Sequence, residues 1–431
     1  MKFYSLNKKA PSVSFKNAVI NGIAPDKGLY FPESIVPLPS SFFEEIERLS
    51  KVEIAFRAIN QFVSEDIPEP VLKDILQQIL DFDFPLVEIE ENVATLELFH
   101  GPTMAFKDVG ARFMAQCLGY FSKGEISEVS VLVATSGDTG GAVANGFLGV
   151  KGVNVVILYP SGKVSEIQER QLTTLGQNIT ALEVDGTFDD CQKMVKAAFL
   201  DEELLQNMKL TSANSINVAR WLPQLIYFLF AYQQIKAQGK EIVFSVPSGN
   251  FGNICAGMVA QQLGMPVKHF VAATNVNDTV PEFMRTQSYD PRPSSATISN
   301  AMDVGDPSNF VRVRHLYRDD FDALRKNLSA YPFTDEQTKK KMLEIHQKSN
   351  YIVDPHGAVG YLGLKKFQEN HPHVYGIFLE TAHPVKFLDV VEKTIGQKLE
   401  IPPQIKKVLG KEKKSIRIKE YSELKSYLLK H

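Results

Sequence analysis

The sequence predicts an α/β protein in which mostly parallel sheets are flanked by helices. Short apolar runs recur along the chain, and most of them end in a loop rich in glycine, serine or asparagine that leads into a helical pattern. The apolar residues within a run are consecutive and do not alternate with polar ones, which is typical of strands buried on both faces. The runs that we assign to strands are 129–134, 153–158, 179–184, 241–246, 269–273 and 375–379. In sheets of this kind, ligands bind beyond the carboxyl ends of the strands, where these loops lie.

Length and composition are those of an ordinary globular protein. A chain of 431 residues is long enough for two or three domains and a sizeable core. With 44% hydrophobic and 23% charged residues and a net charge of -3, the chain shows no sign of a nucleic-acid or anionic-membrane partner. The longest apolar run, 225–232, is far shorter than the ~20 residues of a membrane span, and the N-terminus has no signal-peptide pattern. We therefore predict a cytoplasmic protein, and we expect a monomer or a weak homodimer.

The three cysteines do not have the spacing of a metal site. Cys117, Cys191 and Cys255 are far apart, and each lies in an apolar helical pattern. We expect them to be buried thiols in a reducing compartment. The sequence contains no His-Glu-x-x-His, Cys-x-x-Cys or Gly-x-Ser-x-Gly motif, so we predict no metal and find no support for a zinc peptidase or a serine hydrolase.

Changes of composition divide the chain into three parts. Residues 1–90 form an N-terminal module in which turn formers are followed by short helical patterns. Residues 91–384 carry the repeated strand, loop and helix, although 280–350 is less regular and is a possible insertion or flap. Within this part, 217–238 has the pattern of one long apolar helix. Residues 385–431 form a mainly helical C-terminal extension that closes with a strand and a helix.

The stretch 100–112 is the first candidate for chemistry. It opens with the turn formers Gly101 and Pro102 and continues as a helix, because apolar residues recur every three to four positions from Phe106 onward. Lys107 then lies in the first helical turn, where the positive end of the helix dipole disfavours the charged form of the amine. A lysine with a lowered pKa is a nucleophile that can form a Schiff base with a carbonyl compound. The alternative is that Lys107 is one of many solvated lysines.

Two loops between a strand and a helix are candidate anion sites. The first consists of Ser248, Gly249, Asn250, Phe251, Gly252 and Asn253. Its glycines allow successive backbone N–H groups to converge, and the following helix adds positive potential, so the loop suits a phosphate unless it is an ordinary Gly-rich turn. The second consists of Thr135, Ser136, Gly137, Asp138, Thr139 and Gly140. Its hydroxyls and backbone amides suit a carboxylate.

A third group of polar residues is a candidate oxyanion clamp. Asn217 and Arg220 are one helical turn apart and share a face with each other, and Ser215 precedes them. The alternative is that Ser215 caps a helix and Arg220 lies on the surface. Lys163, in the loop after the strand 153–158, and Arg112, beyond Lys107 in its helix, are weaker candidates for the same cleft.

Several of these motifs resemble those of one family. His-Gly-Pro-Thr-x-x-Phe-Lys-Asp at 100–108 resembles the lysine segment of threonine synthases, which belong to the tryptophan-synthase-β-like, or fold-type II, group of pyridoxal-phosphate (PLP) enzymes. Pro-Asp-x-Gly-Leu-Tyr at 25–30 and Gly-Asn-Phe-Gly at 249–252 are similar to segments of the same family. At least five such motifs follow in the expected order between Gly28 and Pro384. The resemblance implies that 91–384 folds as two subdomains with the active site in the cleft between them.

The resemblance also implies the cofactor and the residues that hold it. PLP would form a Schiff base with Lys107 beside Phe106, its phosphate would lie in the 248–253 loop, and Thr381 would face its pyridine nitrogen. Related enzymes have an asparagine where this chain has Asp138, and two anionic oxygens would repel, so the partner of the ring hydroxyl oxygen is left open. His383, just before a proline, is more often a structural cap than an acid or base. The implied substrate contacts are Thr135, Ser136, Gly137 and Thr139 for the carboxylate, and Ser215, Asn217, Arg220, Lys163 and Arg112 for the phosphate.

The implied reaction converts O-phospho-L-homoserine and water to L-threonine and phosphate, the last step of threonine biosynthesis. The amine of Lys107, once displaced from the cofactor, would move the protons at Cα and Cβ of the substrate. Three alternatives remain: a serine or threonine dehydratase of the same group, which needs no second phosphate site; a catalytically silent binding protein of the same fold; and a structural or interaction protein. Phosphate release from phosphohomoserine, compared with ammonia release from threonine, separates the first alternative.

Overall fold

A computed structural model describes residues 1–123 and 128–430 of the chain, which contain three sheets surrounded by helices. The strands are β1 (Lys2–Ser5), β2 (Val13–Ser14), β3 (Tyr30–Pro32), β4 (Leu86–Glu90), β5 (Val93–Glu97), β6 (Val129–Ala134), β7 (Val153–Pro160), β8 (Ile179–Val184), β9 (Lys209–Ser212), β10 (Ile242–Pro247), β11 (His269–Thr274), β12 (Leu328–Pro332), β13 (Tyr375–Glu380) and β14 (Ile416–Ile418). Each of the predicted strands between 129 and 379 is present, within two residues of its predicted ends.

The helices fill the connections between the strands. They are α1 (Phe15–Asn21), α2 (Ser40–Glu45), α3 (Lys51–Val63), α4 (Glu69–Ile79), α5 (Lys107–Phe121), α6 (Asp138–Phe147), α7 (Glu166–Thr173), α8 (Phe188–Ala198), α9 (Glu202–Asn207), α10 (Val218–Trp221), α11 (Leu225–Ile235), α12 (Gly252–Gln262), α13 (Thr279–Thr286), α14 (Phe310–Leu316), α15 (Phe321–Asn327), α16 (Asp335–Ser349), α17 (Pro355–Gln368), α18 (Leu388–Ile395), α19 (Pro403–Leu409) and α20 (Tyr421–Lys430). No helix in the described part of the chain is both long enough and apolar enough to cross a bilayer.

Two of the sheets are the mostly parallel sheets that the apolar runs predict. One has the strand order β14-β8-β7-β6-β9, and all of its pairs are parallel. The other has the order β12-β11-β10-β13-β5-β4, and only the pair of β4 with β5 is antiparallel. The third sheet, β2-β1-β3, is antiparallel and lies in the N-terminal module. The predicted fold class is confirmed.

Two expectations about segments need correction. The region 280–350 is not wholly an insertion or flap, because its strand β12 pairs in parallel with β11 and completes the six-stranded sheet. The segment 217–238 is not one helix. A 3-10 turn at Leu222–Gln224 separates α10 from α11, since Pro223 has no N–H to donate and its ring crowds the preceding turn.

The interior contains the apolar helix α11 and the joint between the N-terminal module and the rest of the chain. Almost every side chain of α11 is buried, which explains why its sequence is apolar on all sides. Phe31, in the middle of β3, stacks on Trp221 with the ring centroids 6.0 Å apart. The cysteines Cys117, Cys191 and Cys255 are buried and unpaired, as predicted. The module is therefore packed into the same core as the α/β region.

Candidate active site

The loop before α5 is clamped to the loop after β13. The N–H of Phe106 donates to the carbonyl of Thr381 at 2.8 Å, and the N–H of His383 donates to the carbonyl of Met104 at 3.1 Å. Met104 adopts a left-handed conformation with φ of 58°, which is uncommon for a side-chain-bearing residue and is typical of functional sites. These contacts fix the start of α5, and with it the position of Lys107, against the carboxyl end of β13.

Lys107 projects into a cavity of about 290 Å³ at the carboxyl ends of both parallel sheets. The side chain is surrounded by protein, and the accessible surface that it retains faces this cavity. Burial lowers the pKa of Lys107 to about 8; the charges of Lys386 and Arg220 act in the same direction, and Asp138 opposes them. We expected the helix dipole to lower this pKa, whereas the main cause is the loss of water around the amine.

The Gly-rich loop after β10 forms another wall of the cavity with residues 249–253. It leads directly into α12, whose first-turn N–H groups have no acceptor within the helix. Phe251, the residue before α12, has a positive φ of 61°. A Cβ at Gly249 would lie 2.7 Å from Cα of Met302 and 2.8 Å from the carbonyl oxygen of Ala301, so this position has no room for a side chain. The loop therefore presents backbone donors to the cavity.

The side chains of this loop hold it in place. Asn250 donates through Nδ2 to Oγ of Ser215 at 2.8 Å and accepts through Oδ1 from the N–H of Ser308 at 2.6 Å. Asn253 donates through Nδ2 to the carbonyl of Pro247 at 2.8 Å. Because the amide side chains are engaged with the protein, the backbone and not these side chains is what the loop offers to an anion.

The loop after β6 contributes Thr135, Ser136 and Thr139 to the same cavity. Oγ1 of Thr135 accepts from the N–H of Gly137 at 2.9 Å and from the N–H of Gly140 at 2.8 Å, so this hydroxyl holds the turn and keeps its own hydrogen to donate. Gly137 has φ of 139°, a conformation that favours glycine, and a Cβ there would meet the Gln168 side chain at 2.4 Å. The turn thus depends on glycine at this position.

Asp138, the first residue of α6, is paired with a cation that the sequence analysis missed. Its Oδ1 lies 2.6 Å from Nζ of Lys386, and both side chains are almost completely buried. Gln168 donates to the same oxygen through Nε2 at 3.0 Å. Although burial acts to raise it, the charges of Lys386 and Lys107 hold the pKa of Asp138 well below its usual range. Asp138 left open how a second anionic oxygen could be placed near the ring hydroxyl of the cofactor, and the positive charge of Lys386 compensates that of Asp138.

Lys386 lies in the 3-10 turn Pro384–Phe387 that follows the clamped loop. Its Nζ also donates to the carbonyl of Thr103 at 3.0 Å. His383 accepts through Nδ1 from the N–H of Val385 at 3.1 Å, so it caps this turn as the structural alternative predicted. The sequence carried one signal for Lys386: it stands among apolar residues, where a lysine is buried only if it is paired.

Arg220 is the buried cation of the third cavity wall. It lines the cavity with Ser215 and is itself buried, with Nη1 donating to the carbonyl of Ala213. Its Nε has no hydrogen-bond partner within residues 1–123 and 128–430. Burial lowers the pKa of Arg220 to about 10. A guanidinium at the wall of a cavity suits an anionic ligand. Lys196 and Arg292, which the sequence analysis did not single out, also line the cavity.

Six of the predicted site residues do not line the cavity: Gly137 and Asp138, in the loop after β6, and four that lie elsewhere. Arg112 points away from Lys107 because the two are five positions apart in α5, and its guanidinium bonds Asp81 at 2.5 Å. Asn217 is buried as the N-cap of α10 and donates to the carbonyl of Val19 at 2.9 Å. Lys163 is exposed in the turn after β7, and the hydroxyl of Ser248 donates to the carbonyl of Val246 at 2.9 Å. None of the four lines the cavity.

Arg312 on α14 braces the cavity wall from behind. Its Nη1 donates to the carbonyl of Ser215 at 3.1 Å, and its Nη2 donates to the carbonyls of Tyr30 at 3.0 Å and Ile216 at 2.7 Å. The guanidinium also lies 4.7 Å from the ring centroid of Trp221. One side chain therefore joins the N-terminal module to the segment that carries Ser215.

The cavity provides what PLP requires: on one wall an amine whose lowered pKa favours the uncharged form, and on another a helix N-terminus without side-chain obstruction. Fold and cavity define a PLP-dependent enzyme of the tryptophan-synthase-β-like group, and a sequence model described as pyridoxal-phosphate dependent enzyme matches residues 85–374. Models described as threonine synthase N terminus and threonine synthase, C-terminal match residues 2–79 and 357–428. The chain belongs to the threonine synthase family.

Comparisons over the whole chain agree. The threonine synthase of Escherichia coli (strain K12) is 44% identical over 406 residues, which is 94% of each chain. The crystal structure of threonine synthase from Escherichia coli superposes with a TM-score of 0.94 at 41% identity and covers 100% of both chains. The PLP-bound threonine synthase from Brucella melitensis has a TM-score of 0.92 at 32% identity and covers 99% of this chain and 98% of its own. The family and the cofactor that the sequence predicted are confirmed.

Proposed function

We propose that the chain converts O-phospho-L-homoserine and water to L-threonine and phosphate, with PLP attached to Lys107. The observation that carries the proposal is the meeting, in one cavity, of a half-buried lysine with a lowered pKa and a Gly-rich helix N-terminus, in a chain 44% identical to a threonine synthase. A dehydratase of the same group would use a similar lysine. The further cations Arg220 and Lys196 at the cavity favour a substrate that brings a phosphate of its own in addition to that of the cofactor; Arg292 also lines the cavity but is paired with Asp278.

The walls of the cavity would hold the cofactor by its two ends. Lys107 would bind the aldehyde carbon through Nζ, and the backbone amides of 250–253 would bind the phosphate at the start of α12. Thr381 lines the cavity, and its hydroxyl would face the pyridine nitrogen. When bound, PLP supplies an electron sink that stabilises negative charge at Cα of an amino acid.

The other cavity residues would bind and activate the substrate. The hydroxyls of Ser136 and Thr139 and the amides of their loop suit its carboxylate. Arg220 and Ser215 suit its phosphate and would stabilise the charge that develops on the leaving group. The Lys107 amine, once released from the cofactor, would move protons at Cα and Cβ, a role for which a pKa of about 8 is well matched near neutral pH.

Two assays on the purified holoenzyme test the proposal. We expect inorganic phosphate and threonine to form from O-phospho-L-homoserine, and no ammonia to be released from threonine. Ammonia release without phosphate release would establish the dehydratase and contradict the proposal. Reduction with borohydride and peptide mass spectrometry should locate the cofactor on Lys107, and Lys107→Ala should abolish both the adduct and the activity.

The setting of the enzyme is also part of the proposal. We place it in the cytoplasm as a monomer or a weak homodimer. The three buried, unpaired cysteines support a reducing compartment. Light scattering coupled to size-exclusion chromatography tests the assembly, and a tight tetramer would contradict it.

A further inference from the structure

Two ammonium groups compete for one buried carboxylate at this site. Lys107 and Lys386 both act electrostatically on Asp138. Of these two lysines, Lys386 is the one in contact with Asp138, with its Nζ 2.6 Å from Oδ1. In the part of the chain that the structure describes, no hydrogen bond or ion pair joins Lys107 to Asp138. The negative charge beside the cavity is therefore already matched before any ligand enters.

Both partners of the ion pair are held by other contacts. Asp138 is fixed by Nε2 of Gln168 and by its place in the first turn of α6, where the helix dipole favours an anion. Lys386 is fixed by the carbonyl of Thr103. Thr103 is itself tied to Asp108 by its N–H at 2.9 Å and its hydroxyl at 2.5 Å. The pair therefore cannot swing apart without disturbing the loop that positions Lys107.

We propose that Lys386 is a positioning residue of the active site: by occupying Asp138 it leaves the amine of Lys107 without a carboxylate partner and so available to the cofactor and to the substrate proton. This inference rests on the proposed role of Lys107. Arg220 on α10 also acts electrostatically on Lys107, whereas Asp108 on α5 and His383 before the 3-10 turn are within electrostatic range of Lys386. Among the described residues, none of these three is paired with Asp138.

The arrangement predicts opposite effects from removing either partner. Without the Lys386 charge, Lys107 is the nearest cation left to compensate the buried Asp138, so the pKa of Lys107 rises. Without the Asp138 charge, Lys107 faces only Lys386 and Arg220, so its pKa falls. A residue that merely filled space would not produce shifts of opposite sign.

The experiment measures the pKa of Lys107 directly in the full-length chain after removal of the cofactor. The rate of Lys107 acetylation by acetic anhydride is followed by peptide mass spectrometry from neutral to alkaline pH for the parent, Lys386→Met, Asp138→Asn and the double variant. In Lys386→Met we expect the pKa to rise by about one unit, leaving about tenfold fewer uncharged Lys107 amines at neutral pH. Asp138→Asn should lower it, and the double variant should return it close to the parent value.

Lys365→Met provides the matched control, because Lys365 is paired with Glu90 at 2.8 Å on the surface and should leave the pKa of Lys107 unchanged. Shifts of the same sign in the two single variants, or no shift in Lys386→Met while circular dichroism shows a folded chain, would overturn the inference. Since the measurement does not involve turnover, it stands apart from the assay of phosphate release. A failure of the proposed reaction and a failure of this inference are thus distinguishable.

Discussion

Gly249→Ala is the substitution whose effect follows most directly from the geometry. The added methyl group would lie 2.7 Å from Cα of Met302 and 2.8 Å from the carbonyl oxygen of Ala301, whereas ordinary contact begins at 3.4 Å. Both neighbours are backbone atoms, so no side chain can rotate away. Either the 3-10 turn Asn300–Met302 or the Gly-rich loop has to move by roughly 0.7 Å.

The expected cost is that of overpacking a well-packed site, about 1–3 kcal/mol. If the loop retreats, its amides leave the positions from which they would bind the cofactor phosphate. The cost then appears as a dissociation constant for PLP that is higher by about 5- to 150-fold. Equilibrium dialysis of PLP against the cofactor-free, full-length chain measures this constant, and thermal unfolding of the same samples reports any share of the cost paid by the protein alone.

Gly410→Ala is the matched control. Gly410 has φ of -82° and no atom within 4 Å of an added Cβ, so it undergoes the same chemical change without the clash. Both substitutions reduce the conformational freedom of the unfolded chain in the same way. The reasoning is refuted if Gly249→Ala binds PLP within about twofold of the parent and unfolds at the temperature of Gly410→Ala.

Three further predictions concern charged residues. Arg312→Lys cannot reproduce the forked contacts of the guanidinium and should lower the free energy of unfolding by about 2–4 kcal/mol in a denaturant titration. The control is Arg285→Lys, on the surface beside Glu282, which should change this free energy by less than about 1 kcal/mol. In the cofactor-free chain between pH about 8 and 10.5, Lys107 is uncharged in the folded state and charged in the unfolded state. The free energy of unfolding is therefore highest above pH 10.5 and falls by up to about 3 kcal/mol as the pH drops through this window. A pH series of unfolding curves for Lys107→Met should lack this dependence. Arg220→Met should lower kcat/KM for O-phospho-L-homoserine at least about tenfold. Arg112→Ala should leave kcat/KM within about twofold of the parent, because the Arg112 guanidinium bonds Asp81 away from the cavity. Equal losses of kcat/KM in the two variants would contradict the proposed position of the substrate phosphate.

The sequence was most informative where the signal is local and repeats. Buried parallel strands have to be apolar at consecutive positions, so β6 and β8 were predicted with their observed bounds. The Gly-rich loops were found because a turn between a strand and a helix N-terminus requires glycine at particular positions, as at Gly137 and Gly249.

The sequence was least informative about the direction of side chains and about partners that are distant in the chain. Arg112 follows Lys107 closely, yet five positions in a helix turn it to another face. Lys386 is 248 positions from Asp138, and no spacing rule connects a 3-10 turn after β13 to the start of α6. Asn217 has the residue type of an oxyanion ligand but is consumed as a helix cap, a choice that depends on the carbonyl of Val19 from another module. Such contacts arise only when the sheets have been assembled.

The guanidinium of Arg312 has a consequence for how this enzyme could be shortened. Its Nη2 donates to the carbonyl of Tyr30, near the beginning of the chain, and its Nη1 donates to the carbonyl of Ser215. Deleting the first ninety residues would remove the carbonyl of Tyr30 that Arg312 binds and the ring of Phe31 that stacks on Trp221. The N-terminal module therefore supports the active site and is not a dispensable addition to it. An enzyme without this module would need another acceptor for the Arg312 guanidinium to remain active.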